Sequence, residues 1–210
     1  MVDKRKVNTK DKWKEKSWYT VVAPSYFGEK EIALTPGSDP RYIINRTVAV
    51  PVSEFTGNFK KSSSMVLFKI DNCIGKKCST VFIGHKVSDD AIRRMVRRRR
   101  ERIDIITAVT TKDLYKIVVK IVLVADNKLT GTKRAEVRAT VVSYISDRAA
   151  NMKLSELALY LIGDDIYNDI SDALKDIYPI KKIEIRRSEV EGKSEQTVLN
   201  ETPVEQEVEN

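Results

Sequence analysis

The sequence predicts an α+β fold: an antiparallel, barrel-like sheet with an arginine-rich helix and C-terminal helices packed on it, flanked by a basic N-terminal arm and an acidic C-terminal tail. Three observations point there. Short β-branched and aromatic segments, separated by turn residues, fill the chain as far as Ala125. Beyond that point the apolar residues change to helical spacing. The charge is also unevenly placed: 38 Lys and Arg face 30 Asp and Glu for a net +8, yet Glu189 to Asn210 hold seven Glu against one Lys, which leaves residues 1–188 at +14. A body that basic repels itself unless an anion lies against it, and nucleic acid is a usual partner.

Each element has a local reason. Residues 1–16 form a basic arm with little to bury, expected to be mobile until bound. A single domain is expected over 17–188, mostly β to residue 125 and mostly α from 126. "SWYTVV" (Ser17 to Val22) reads as a strand, "APSYFG" as a loop and "TPGSDP" (Thr35 to Pro40) as a turn. Further strands are expected over Arg46 to Val52, Met65 to Asp71 and Ser79 to Ile83, with Pro51 marking an edge. "IDIITAVTT" and "LYKIVVKIVLVA" make a hairpin around Lys112 and Asp113, the second strand apolar on both faces and therefore central. With about six strands, a closed or half-closed barrel would hide the edges.

Val137, Val141, Tyr144, Ile145 and Arg148 fall at helical spacing, although "RATVVSYI" also suits a strand. Ile166, Ile170, Ala173, Leu174 and Ile177 mark a second helix, capped by Asp164 and ended by Tyr178-Pro179. A strand, "IKKIEIRR", follows. Residues 189–210 read as a disordered acidic tail. The longest apolar run, Ile117 to Ala125, is about half a membrane span and contains Lys120, so no bilayer crossing is expected. No apolar signal core follows the basic N-terminus, which points to the cytoplasm.

"RRMVRRRRER" (Arg93 to Arg102) holds seven arginines in ten residues. Ser88 can cap a helix there, with Asp89 and Asp90 in its first turn. On a helical wheel Ile92, Val96 and Ile103 lie within about 40° of one another with Met95 at the flank, while Arg93, Arg94, Arg97 and Arg98 face outward. A solvated face explains mixed charge runs, but only Glu101 interrupts this one. Arginine suits phosphate, because its planar fork donates two parallel hydrogen bonds. Arg99 falls amid the apolar side: either its stem packs and its head reaches out, or the helix ends early.

Lys10, Lys12, Lys14 and Lys16 alternate around Trp13, an interleaving that suits stacked bases; Trp18 and Tyr19 read better as the first core residues. Lys60, Lys61, Lys76 and Lys77 sit in turns, where cations can reach a nucleic-acid backbone. Arg100 completes the set of nucleic-acid-binding candidates. Cys73, Cys78 and the lone His85 are too few for a structural zinc site, and both cysteines are expected to be thiols. Asp164, Asp165 and Asp169 could hold magnesium in a nuclease, but such acids more often cap a helix. No cofactor, metal, small-molecule substrate or enzymatic activity is expected.

"KSWYTVVAPSYFG", "GKKCSTVFIGHKVS", "VTTKDLYKI" and "DIYPIKKIEIRR" resemble, in order and over most of the chain, landmarks of the archaeal and eukaryotic small-subunit ribosomal protein family S-one-e, formerly S-three-A-e. Trp18, Tyr19, Pro24, Phe27, Gly75, Cys78, Gly84, Tyr178 and Pro179 match its pattern. The chain lacks long basic extensions, as an archaeal member would. The resemblance implies a non-enzymatic rRNA-binding protein of the small-subunit platform, on the cytoplasmic ribosome near the mRNA exit. Its partners would be small-subunit rRNA, neighbouring ribosomal proteins and mRNA. It implies a barrel-like sheet with C-terminal helices. The dense arginine run and the acidic tail depart from the family pattern. The rival readings are a free RNA-binding or chaperone-like module acting off the ribosome, and the nuclease.

Overall fold

A computed structural model describes residue 13 and residues 16–193 of the chain; the side chain of Lys60 lies outside that description. Two compact units are present, Met1–Val50 with Val66–Ile83, and Pro51–Met65 with Gly84–Asn210. Among the described residues, eight strands and five α-helices make up the α+β fold.

The first unit holds β1 (Ser17–Val22), β2 (Glu31–Gly37), β3 (Thr47–Pro51) and most of β4 (Ser64–Ile74) and β5 (Lys77–Val87). β1 pairs antiparallel with β2 and parallel with β5, while β4 lies between β3 and β5. β2 and β3 are left as edges, so these strands form an open sheet. Within β1, Tyr19 and Val21 point inward and Trp18 outward, the alternation of a half-buried strand. Phe27, Phe68 and Phe82 fill the interior, Phe27 and Phe68 edge to face at 5.2 Å.

Two corrections arise here. β2 runs through Pro36 and Gly37, where a turn is expected from sequence; an edge strand tolerates proline because one side of its ladder is open. Cys73 and Cys78 form a disulfide and are not thiols. The Gly75-Lys76 turn between β4 and β5 sets the two cysteines opposite each other, with Cα atoms 4.0 Å apart. Gly75 takes the left-handed region at φ 62°, as the first position of a tight hairpin turn can require.

The second unit is organised by β7 (Tyr115–Ala125), which pairs antiparallel with β6 (Glu101–Thr110) on one side and β8 (Ile180–Lys193) on the other. Its central, two-faced character follows from its apolar run, as expected. Ile117, Val119, Ile121 and Leu123 pack under α3 (Gly131–Asn151), α4 (Leu154–Ile162) and α5 (Asp165–Leu174). Val122 and Val124 face the opposite way, onto α2 (Asp89–Met95). Residues 133–149 are therefore helix: Val137, Val141, Ile145 and Ala149 all bury on one side of α3. The remaining short helix, α1, spans Ser53–Thr56. No helix among the described residues is long and apolar enough to cross a membrane.

β8 continues six residues beyond Arg187, so the first part of the expected disordered tail, residues 189–193, is strand; residues 194–210 lie outside the described ones. The ladder with β7 runs on to Tyr115↔Lys193 and Val190 joins the core, with Lys116 paired to Glu191 at 2.9 Å and Lys120 to Glu189 at 3.1 Å across the strands. The outer side of β8 meets β5 at Gly84↔Glu189, His85↔Ser188 and Lys86↔Arg187. At this crossing a Cβ on Gly84 would stand 2.1 Å from the Ser188 carbonyl oxygen. Gly84→Ala is expected to lower the free energy of urea unfolding by about 1–3 kcal/mol or more, whereas Gly131→Ala, with open space around it, should be neutral or stabilising by up to about 1 kcal/mol.

Candidate nucleic-acid interface

α2 starts where Ser88 caps it: the hydroxyl accepts a hydrogen bond from the Ala91 N–H at 3.3 Å, with Asp89 and Asp90 in the first turn. Ile92 and Met95 anchor it on Val87, Val122 and Val124. The helix then stops. Val96 is extended, the Arg100 N–H donates to the Arg97 carbonyl at 3.3 Å, and Arg99 adopts φ 70°. Arg93 and Arg94 thus ride on the helix, but Arg97 and Arg98 sit on a turn, and Ile103 belongs to β6, where strand alternation buries it. Two forces end the helix early. Stacked arginines repel at i,i+4, and pairing with β7 claims the chain from Glu101 onward.

Arg94 and Arg97 line one open groove together with Lys181 and Lys182 of β8, over a floor that includes Met95 and Ile183. A second recess holds Lys86, Lys120, Arg186 and Arg187 beside Asp89. Sequence reasoning missed the β8 cations, although "IKKIEIRR" shows them: Lys182 and Arg186 alternate with Ile183 and Ile185. Several cations are partly neutralised, Lys181 and Arg100 by Asp126 at 2.9 and 3.3 Å, Arg186 by Asp89 at 3.2 Å, and Arg93 by Asp90 at 3.9 Å. Arg94, Arg97, Arg98 and Lys182 are exposed with no ion pair among the described residues. Surface pairs of this kind contribute about 0–1 kcal/mol, so an incoming phosphate can displace them at little cost.

A family model described as the Ribosomal S3Ae family matches residues 4–194. This chain belongs to that family. Relatives of the S3Ae chain include the small ribosomal subunit protein eS1 of Picrophilus torridus, 65% identical over 193 residues covering 92% of each chain. The protein of the same name from Thermoplasma volcanium is 56% identical over 181 residues, 86% of this chain and 84% of its own. That of Methanothermobacter thermautotrophicus is 34% identical over 190 residues, 90% and 97% of the two chains.

The other S3Ae candidates fall in varied places. Lys10, Lys12 and Lys14 lie outside the described residues, as does the side chain of Lys60. Trp13 is exposed, with the Lys16 ammonium 4.4 Å from its ring centroid, and Trp18 is exposed where a core position is expected from sequence. Lys76 and Lys77 stand in solvent at the β4–β5 turn of the first unit. Lys61 is turned inward: its ammonium donates to the Ile162 carbonyl at 2.6 Å and pairs with Asp164 at 2.7 Å. The three aspartates considered for magnesium have separate partners or positions. Asp164 holds Lys61, Asp165 lies in the first turn of α5, and Asp169 accepts hydrogen bonds from Tyr160 at 2.6 Å and Tyr144 at 2.9 Å. Those hydroxyls, Tyr160 foremost, hold the Asp169 carboxyl below its usual range.

His85 is buried in the second unit, its Nδ1 without a hydrogen-bond partner among the described residues. Burial, and then the charge of Lys61, push its pKa down from 6.5 to about 4. The unfolded chain therefore takes up a proton at higher pH than the folded one, so this group lowers stability as pH falls from 6.5 to 4 and adds no further loss below that. The expected loss is about 3 kcal/mol. Urea unfolding of His85→Leu across this window should show a correspondingly flatter pH profile than the parent chain.

Proposed function

We propose that this chain is a structural, non-enzymatic constituent of the small ribosomal subunit that binds rRNA on the platform near the mRNA exit. Neighbouring ribosomal proteins and mRNA would be further contacts, and the ribosome of the cytoplasm its location. The observation that carries the reading is the exposed set Arg94 on α2, Arg97 and Arg98 on the turn after it, and Lys182 on β8, with no ion pair among the described residues. Family membership and the names of the relatives support the ribosomal role. The mechanism is backbone neutralisation. Arginine forks and lysine ammoniums take the place of condensed counter-ions on rRNA phosphates, which gives affinity and register without reading sequence. Lys16, Lys76 and Lys77 would supply further phosphate contacts and Trp13 a stacking surface.

Salt dependence tests the interface. Binding of the full chain to a small-subunit rRNA fragment should weaken steeply with salt, and the combined Arg93, Arg94, Arg97 and Arg98→Ala variant should reduce the slope of log K against log salt by roughly one per lost phosphate contact. Arg100→Ala, whose side chain is mostly buried beside Asp126, should change it less. An unchanged slope in the combined variant overturns the assignment of this surface. Co-sedimentation with small subunits after a high-salt wash is expected on a sucrose gradient; recovery only at the top would favour a module acting off the ribosome.

A further inference from the structure

A cavity of about 250 Å³ in the second unit is lined by Lys61, Met95, Asp164, Tyr167, Ile183 and Glu184. It opens beside the half of β8 that precedes Arg187, where β7 is the strand partner and β5 has ended. Met95, Ile183 and Glu184 are shared with the groove walled by Arg94, Arg97, Lys181 and Lys182, so the two hollows adjoin. We infer that this cavity receives one unpaired guanine base of an RNA strand whose phosphates lie in the arginine–lysine groove. The inference rests on the RNA-binding reading above and adds a sequence-reading element to it.

Size is the first argument. The volume falls short of the roughly 300–1,000 Å³ typical of pockets for drug-sized ligands, so it suits a flat base and leaves the charged phosphates outside, where the cations are. Single-stranded RNA is read in this way, by splayed-out bases recognised on their polar edges.

The polar groups select the base. Glu184 Oε1 accepts a hydrogen bond from the Tyr167 hydroxyl at 3.2 Å, and its second oxygen has no partner among the described residues. The Lys61 ammonium spends two of its three N–H groups on Ile162 and Asp164 and has one left. The cavity thus offers an acceptor pair and a donor. Guanine presents two donors, N1–H and the N2 amine, next to the O6 acceptor on one edge. A carboxylate can take both donors while an ammonium reaches O6. Cytosine and adenine bring one amine to the carboxylate, and uracil sets a single N–H between two carbonyls that would face its lone pairs. Met95 and Ile183 supply apolar walls for the ring. Burial raises the Glu184 carboxyl above its usual range, so two arriving donors would relieve a desolvation already incurred in the free protein.

The test uses the full chain and nine-nucleotide RNAs of uridine with a single central guanosine, inosine, cytidine, adenosine or uridine, followed by fluorescence anisotropy at fixed salt. The guanosine-centred RNA should bind about 5–100-fold more tightly than the all-uridine one. Inosine, which lacks the N2 amine, should lose most of that preference with the protein unaltered. Glu184→Gln should bring the guanosine-to-uridine ratio to within about twofold. Arg94 and Arg97→Ala should weaken every RNA while keeping the ratio. Equal binding of guanosine and uridine centres, or of guanosine and inosine centres, overturns the guanine pocket, as does a preference that survives Glu184→Gln. In each of these cases the salt-dependent binding of all RNAs leaves the backbone reading standing; absence of binding to any of them removes both.

Discussion

β7 is buried on both faces from Ile121 to Ala125, and most of the second unit follows from that. An apolar strand in the middle of a sheet must be covered on both sides, so Ile117, Val119, Ile121 and Leu123 require the layer of α3, α4 and α5, while Val122 and Val124 require α2. The helix that carries Arg93 and Arg94 is thereby fixed by core packing. Its position costs the arginines nothing in flexibility at their tips, yet sets where their Cα atoms stand. Burying Ile92 and Met95 contributes about 1.5–3 kcal/mol each, ample to hold a seven-residue helix that would not form alone.

The same sheet sorts the cations. Where a cation reaches an acid on the neighbouring strand, as Lys116 does Glu191, the charge is absorbed into the fold. Arg94 on α2, Arg97 and Arg98 on the turn after it, and Lys182 have no ion pair among the described residues. The excess charge is therefore concentrated on one side of β8 near α2. That is the arrangement that focuses a positive potential on an approaching polyanion.

Much of this was legible in the sequence. β1 matches its expected span, the β6–β7 hairpin and the helix at Asp165–Leu174 follow their periodicities, and Ser88 caps as residue type suggests. The failures have local physical causes. A helical wheel cannot show that a competing strand begins at Glu101, so it carries α2 too far; Arg99, the residue that fits the wheel worst, marks the break. α4 is apolar nearly all round and gives little period to detect. The Cys73–Cys78 spacing speaks for metal or thiol chemistry until the two-residue turn between them is known. Of the site, the arginines were visible as a run, whereas the cavity joins Lys61, Tyr167 and Glu184 from three distant segments.

The end of β8 looked aperiodic because its alternation slips. Ile121 faces Ile185 but Lys120 faces Arg187, so Arg186 has no counterpart on β7. Counted without it, Ile183, Ile185, Ser188 and Val190 fall into unbroken alternation. Arg186 is in effect an inserted residue: the strand could close its ladder without it, and its presence puts two adjacent guanidiniums beside Lys86 and Lys120. At that point the fold gives up regularity and gains charge, which marks the recess as a place where ladder continuity yields to a concentration of positive charge.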